Sequence, residues 1–127
     1  MKHSKLFQNL SLGPYVLQNR IVLPPLTRSR STQPGNIPNE LMATYYQQRA
    51  GAGFMVTEGT QIEPRGQGYA WTPGIYSPEQ IAGWRKVTEA VHARRHYFCT
   101  ALACWACFTF IFATRSCITG RTLCYQG

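Results

Sequence analysis

The chain has 127 residues, of which 44% are hydrophobic, and a formal net charge of +8. This length is enough for one ordinary domain with its own core, but a complete (β/α)₈ barrel needs roughly 250 residues. The basic residues are scattered, without a run of like charges or a basic stripe interleaved with aromatics, which argues against a nucleic-acid partner.

The start of the chain predicts a short antiparallel unit followed by a buried strand. Residues 7–17 contain two short apolar runs around Gly13-Pro14, a pair typical of turns, so we predict a small β-hairpin. The apolar run 21–23 ends abruptly at Pro24-Pro25 and is typical of a parallel barrel strand buried on both faces. The polar stretch 26–38 predicts a long loop, and loops of this length are often functional.

A helix and a second strand are predicted next. Asn39 is a good N-cap, the apolar spacing after it is helical, and the glycines from Gly51 onwards end the helix. The run 54–57 predicts a second buried strand that ends at Glu58-Gly59-Thr60. A polar, glycine-rich loop is expected over residues 61–73.

A second helix is predicted from Ser77 to about Arg94. Ser77 and Gln80 have capping-box spacing, Pro78 suits the first helical position, and an apolar face follows. Strands that alternate with helices indicate a parallel sheet with crossover helices. A third strand is expected after Arg94, but we find none there in recognisable form.

Several motifs share their order and spacing with one enzyme family. The segment from Leu6 to Arg94 resembles the front of the Old Yellow Enzyme family, closest to the bacterial alkene reductases of the N-ethylmaleimide reductase type. The main matching motifs are Pro25-Leu26-Thr27-Arg28, Tyr45-Tyr46-Gln47-Gln48-Arg49-Ala50, Glu58-Gly59-Thr60, Gly68-Tyr69 and Ser77-Pro78-Glu79-Gln80-Ile81.

The resemblance implies the N-terminal part of an α/β (β/α)₈ TIM barrel with a leading β-hairpin, over residues 1–94. It also implies an oxidoreductase that binds FMN. In this family NADPH or NADH reduces the flavin, which then passes hydride to a small-molecule alkene activated by a carbonyl or nitro group. The cofactor carries the hard chemistry, and the protein supplies position and electrostatics.

Five site residues follow from the resemblance. Pro25, Leu26 and Thr27 match the loop that meets the isoalloxazine ring, where the Thr27 hydroxyl can bind the C4 carbonyl of the flavin. Gly59 matches a position beside the flavin, although a turn glycine that needs a positive φ is the alternative. Tyr69 resembles a substrate-pocket tyrosine, and the alternative is an exposed loop residue. No catalytic residue and no metal ligand is assigned.

Glu58 ends the second strand, where a general acid or base could lie. The family assigns its acid–base chemistry elsewhere, so we expect structural hydrogen bonding from this carboxylate. The family's substrate-anchoring pair, proton-donating tyrosine and phosphate-binding arginine all fall beyond the matched segment.

The composition changes near Arg94. Beyond it there are no acids or lysines, and all five cysteines appear. Where the family's third strand carries Gln-Leu-Trp-His, this chain has Thr100-Ala101-Leu102-Ala103, and codons for these residues displaced by one base can encode the family residues. We therefore hypothesise a one-base frameshift, with residues 95–127 as an out-of-frame tail and an inactive, truncated product.

Other interpretations of the tail stay open. The uncharged run 97–114 has about the minimum length of a membrane span, which would make the chain a non-enzymatic, membrane-associated or interaction fragment. Cys104 and Cys107 have CxxC spacing, but structural zinc needs a second pair of ligands. The first residues lack the apolar segment of a secretory signal, so a cytoplasmic protein with reduced thiols is expected. The oligomeric state is not predicted.

Overall fold

The computed structural model describes residues 5–93 in full and the backbone of two later strands, 97–104 and 107–111. Short 3₁₀ turns cover Lys5–Phe7 and Pro64–Gly66. The other elements, in chain order, are β1 (Leu10–Leu12), β2 (Tyr15–Leu17), β3 (Val22–Leu23), α1 (Glu40–Gln48), β4 (Phe54–Val56), β5 (Thr60–Gln61), α2 (Pro78–His92), β6 (Tyr97–Cys104) and β7 (Cys107–Ile111).

The predicted hairpin is present. Strands β1 and β2 pair antiparallel, with Leu12 opposite Tyr15 across the turn. Gly13 lies in this turn with a φ of 57°, a left-handed conformation that glycine adopts without steric cost. The Gly13-Pro14 pair therefore predicts the turn because glycine can adopt the backbone conformation that the turn requires.

The remaining strands form a mainly parallel sheet in the order β3-β4-β6-β5, with β7 antiparallel against β6. Strand β4 pairs with the first part of β6, and β5 pairs with a later part of the same strand. Helix α1 connects β3 to β4, and α2 leads towards β6. This is the βαβ pattern expected for the front of an α/β barrel, so the predicted fold class is confirmed.

Two details of the predicted sheet were wrong. A third strand does follow α2: β6 starts at Tyr97 and runs parallel to β4. Strand pairing uses backbone groups and needs no particular side chains. The absence of the family's residues from this segment therefore did not exclude a strand there. Strand β3 is also not buried on both faces, since Val22 is 51% exposed at the edge of the described sheet.

The core lies between the two helices and β4. Its largest members are Met42 and Tyr46 of α1, Met55 of β4, and Trp84 and Val87 of α2, each at most 2% exposed. Burying such side chains is the main favourable term in folding, at roughly 25 cal/mol per Å² of apolar surface. The core therefore fixes both helices against the sheet.

Local capping fixes where each helix begins. The Asn39 side chain accepts the N–H of Met42 at the start of α1. At the start of α2, Ser77 accepts the N–H of Gln80 while the Gln80 side chain accepts the N–H of Ser77. Both predicted caps are confirmed.

Candidate functional site

The carboxyl ends of β3 and β4 lie at the same edge of the sheet, because the two strands are parallel. In (β/α)₈ barrels the chemistry occurs at this edge, in the loops that follow the strands. Pro25, Leu26 and Thr27 follow β3 and are exposed. Gly59 follows β4 and is half-buried. The predicted flavin-contacting residues thus belong to neighbouring loops.

Glu58 joins these two loops. Its side chain is 0% exposed, and its Oε2 accepts the backbone N–H of Arg28 at 2.9 Å and that of Ser29 at 3.2 Å. Thr27 immediately precedes Arg28, and Gly59 immediately follows Glu58. This contact therefore brings the predicted Thr27 and Gly59 positions together, and it confirms the structural hydrogen bonding expected of Glu58.

The backbone around this contact has an unusual conformation. Ser29 has a φ of 53°, in the left-handed region that residues other than glycine rarely adopt. Successive N–H groups in such a turn form a concave donor site that binds anions. Here the Glu58 carboxyl group occupies that donor site, so the loop conformation and the position of Glu58 depend on each other.

The electrostatic environment of Glu58 is mixed. Burial raises the pKa of the Glu58 carboxyl, while the N–H bonds from Arg28 and Ser29, and the charge of Arg28, act to lower it. The other carboxylate oxygen, Oε1, is buried and has no hydrogen-bond partner among the described residues. The hydrogen bonds described for the carboxyl group therefore all fall on Oε2, and the Tyr46 hydroxyl is a further polar neighbour that acts to lower its pKa.

Tyr46 contacts the backbone of Glu58. Its hydroxyl accepts the backbone N–H of Glu58 at 2.9 Å, and its ring is part of the core. Burial, followed by the nearby charge of Glu58, raises the pKa of Tyr46 above its ordinary value. Tyr46 therefore stays neutral and connects the strand end to α1.

Two of the residues predicted at this edge, Thr27 and Gly59, can be compared with their alternatives. Within residues 5–93 no hydrogen-bond partner is found for the Thr27 hydroxyl, a group that can donate one hydrogen bond. Among the described glycines, a positive φ occurs at Gly13 and Gly35, so the conformational alternative for Gly59 does not hold. Close approach of a ligand to the backbone remains a reason for glycine at this position.

Tyr69 and Trp71 lie on the loop after β5, and their side chains are 71% and 56% exposed. Trp71 has a φ of 60°, and its carbonyl oxygen accepts both the N–H of Ser31 at 3.2 Å and the Ser31 hydroxyl at 2.8 Å. Ser31 belongs to the loop after β3, so the two loops are joined a second time. No described contact joins Tyr69 directly to Thr27 or Gly59.

Sequence reasoning did not single out Trp71, Ser29 or Ser31. Nothing in the residue types alone indicated a left-handed backbone at Ser29 and Trp71. The one available signal was an aromatic pair, Tyr69 and Trp71, in a glycine-rich loop. The loop-to-loop contacts of these residues required the three-dimensional structure.

The structure also bears on the metal-site and membrane-span interpretations. Among the residues described, no group of three or more His, Cys, Asp or Glu side chains could hold a metal ion. No helix in that part of the chain is long and apolar enough to cross a bilayer. The side chains of Cys104 and Cys107, and those of the 97–114 run, lie outside the described residues.

Comparison with known proteins gives a consistent answer. The model of the NADH:flavin oxidoreductase / NADH oxidase family matches residues 5–103. The flavin oxidoreductase hxnT of Emericella nidulans is 47% identical over 93 residues, which cover 70% of this chain and 24% of the relative. The 12-oxophytodienoate reductase 1 of Oryza sativa subsp. japonica is 46% identical, covering 68% of this chain and 23% of the relative.

Solved structures agree with the sequence relatives. A structure of morphinone reductase in complex with tetrahydroNAD superposes with a TM-score of 0.74 at 44% identity, covering 80% of this chain and 28% of the other. The chain therefore spans about a quarter of the length of the relatives it matches.

Proposed function

The chain belongs to the NADH:flavin oxidoreductase / NADH oxidase family, the family of the Old Yellow Enzymes, and from this premise we propose that it forms the N-terminal part of an FMN-dependent alkene reductase. In the whole enzyme, NADPH or NADH would supply hydride and a small-molecule activated alkene would receive it. The observation that carries the proposal is the Glu58 contact, which joins the Thr27 and Gly59 loops at the carboxyl ends of parallel strands.

The described residues have distinct roles in this proposal. FMN, when bound, supplies the hydride-transfer chemistry. Thr27 would hold a ring oxygen of FMN through its hydroxyl, a donor that would stabilise negative charge at that oxygen. Pro25 and Leu26 offer apolar contact to the ring, and Gly59 lets the backbone approach it closely. These residues orient the cofactor.

Tyr69 is proposed to contact the substrate. Its exposed ring stands on a loop at the catalytic end of the sheet, and the Thr72 hydroxyl donates to its carbonyl oxygen at 2.9 Å. This hydrogen bond fixes the loop backbone at Tyr69, and the exposed ring is accessible to a small apolar molecule. Its contribution is to shape the pocket, without a part in proton transfer.

We propose that residues 1–94 are the barrel portion and that residues 95–127 are read out of frame. The loss of acids and lysines and the gain of cysteines after Arg94 support this division. The family match ends at residue 103, so the base sequence decides where the departure begins.

The DNA across codons 90–107, read on both strands, tests this division. A displaced Gln-Leu-Trp-His next to the present frame supports a frameshift near Arg94. If neither displaced frame encodes the family strand, the division at residue 94 is wrong and the cysteines belong to the native protein sequence. The product of the reading frame that continues the family barrel is the full-length protein.

The activity is tested by purifying the full-length protein and mixing it with FMN, NADPH or NADH, and a simple enone. We expect a yellow protein that oxidises the nicotinamide only when the enone is present and reduces the carbon–carbon double bond. A colourless protein that does not bind added FMN would contradict the proposal. A cytoplasmic location, with its thiols kept reduced, is part of the same proposal and is tested by cell fractionation.

The 127-residue polypeptide expressed alone is expected to behave differently. Its described sheet leaves β3 exposed at the edge, and unpaired strand edges promote association with other chains. We expect it to bind FMN far more weakly than the full-length protein does. Co-purification of stoichiometric flavin with this polypeptide would show that its residues suffice for the cofactor site.

A further inference from the structure

We infer that Glu58 is a positioning residue for the cofactor: its carboxylate fixes the backbone of the loop after β3 so that the Thr27 hydroxyl points at the flavin. The inference rests on the proposed function and adds a specific role within it. Glu58 itself need not touch cofactor or substrate. It acts through the two backbone bonds that it accepts.

The geometry of the loop supports this role. The N–H groups of Arg28 and Ser29 converge on one oxygen of Glu58, at 2.9 and 3.2 Å. Two backbone donors that share one carboxyl oxygen fix the position of the loop backbone relative to that side chain. Ser29 is held in a left-handed conformation, which costs free energy unless a contact compensates for it. Glu58 provides that contact, one residue away from Thr27.

The burial of Glu58 supports a specific role as well. Its side chain is 0% exposed, yet Oε1 has no partner among the described residues. An acidic group in this environment lowers stability compared with a well-packed apolar residue. Half-satisfied buried groups are uncommon in native proteins, and each one calls for an explanation. Setting the conformation of a cofactor loop is an explanation that the surrounding contacts favour.

Glu58 is one clamp on this strand pair, meaning a side chain whose hydrogen bonds join β3 and β4 or the loops that follow them. A second clamp in the same sheet provides a matched control. Asn19 joins the amino ends of β3 and β4: its Oδ1 accepts the N–H of Ile21 at 3.0 Å and of Gly53 at 2.7 Å, and its Nδ2 donates to the Gly51 carbonyl at 2.9 Å. Removing Asn19 should weaken the same pair of strands without changing the Thr27 loop. The Asn19→Ala variant therefore separates general destabilisation of the strand pair from loss of the Thr27 position.

The experiment compares Glu58→Ala, Glu58→Gln, Asn19→Ala and Thr27→Ala in both the 127-residue chain and the full-length protein. In the FMN-free form, hydrogen exchange at the amides of Arg28 and Ser29 reports the loop directly. We expect faster exchange at both amides in Glu58→Ala, a smaller increase in Glu58→Gln, which keeps a neutral acceptor, and no local change in Asn19→Ala. If Glu58→Ala does not fold, Glu58→Gln alone carries this comparison.

FMN affinity then tests the link to Thr27. We expect the dissociation constant of FMN to rise about tenfold in Glu58→Ala, which corresponds to about 1.4 kcal/mol, and to stay near wild type in Asn19→Ala. In the double variant Thr27→Ala/Glu58→Ala, the effect of Glu58→Ala should largely disappear, because residues that act through one contact are not additive. Glu58→Gln in the Thr27→Ala background gives the same comparison with a milder change.

Three results would overturn the inference: unchanged exchange at Arg28 and Ser29 in both Glu58 variants, an equal loss of FMN affinity in Asn19→Ala, or full additivity with Thr27→Ala. If the wild-type full-length protein does not bind FMN, the proposed function fails. The exchange data then show separately whether Glu58 orders the loop.

Discussion

The two ends of the β3–β4 strand pair are joined by different kinds of side chain. At the amino ends, Asn19 is a neutral amide whose oxygen and nitrogen both have partners. At the carboxyl ends, Glu58 is a buried acid with one satisfied oxygen, and it holds Ser29 in a left-handed conformation. One end is built for stability, while the other carries conformational and electrostatic cost.

This difference matches the division of labour in (β/α)₈ barrels, where residues at the amino-terminal face serve stability and those at the carboxyl-terminal face serve the reaction. The present chain shows the same division in only its first βαβ unit. Strain and half-satisfied polar groups tend to collect at functional sites, where surrounding structure maintains them. The comparison can therefore be tested by changing each end separately.

The largest effect is expected at the amino end, from Gly53→Ala. A Cβ on Gly53 would overlap the Asn19 carbonyl oxygen, so the backbone must shift and the hydrogen bonds of Asn19 must distort. We expect a loss of about 3 kcal/mol in the free energy of unfolding, the upper range for overpacking, measured by urea denaturation. Gly51→Ala is the control, since its Cβ would meet nothing within 4 Å. Equal losses in the two variants would show that the tight approach at Gly53 has no energetic consequence.

The second effect concerns the support beneath Glu58. Tyr46→Phe keeps the ring in the core but removes the hydroxyl that accepts the Glu58 N–H. A buried N–H without a partner costs about 1–3 kcal/mol, so we expect a loss in that range by the same denaturation assay. Tyr45→Phe is the matched control, because Tyr45 is half-buried and no hydrogen bond of its hydroxyl is found in the described part of the chain. An equal loss in both variants would mean that the hydroxyl of Tyr46 contributes nothing specific.

The third effect is a pH dependence that only the carboxyl end should show. Burial raises the pKa of Glu58 above its ordinary value of 4.5, so the folded chain binds more protons than the unfolded chain between those two values. The contribution of Glu58 to stability is then fully present below 4.5 and falls as the pH rises through the raised pKa. The stability difference between wild type and Glu58→Gln should shrink with rising pH in denaturation series from about pH 4 to about pH 8.

Asn19→Ala is the control for this series, since Asn19 does not titrate and its variant should follow the wild-type pH profile. A Glu58→Gln variant whose difference from wild type is constant with pH would contradict the raised pKa.

The sequence predicted the features that depend on neighbouring residues. The hairpin, the cap at Asn39 and the capping box at Ser77 each arise within a few positions of the chain, and all three are present. The Glu58 contact joins residues 30 apart and the Asn19 contact with Gly53 joins residues 34 apart. No local pattern encodes such contacts, so the clamps at both ends had to be found in the structure.

The smallest effect tests the strain at the carboxyl end itself. Ser29 has a φ of 53°, so Ser29→Gly relieves a left-handed conformation but makes the unfolded chain more flexible. These terms oppose each other, and we expect a net change within about 0.5 kcal/mol. Ser11→Gly, in the extended strand β1, has only the unfavourable term and should lose about 0.5–1 kcal/mol. If both glycines cost the same in denaturation experiments, Ser29 stores no strain, and the two ends of the strand pair differ in charge alone.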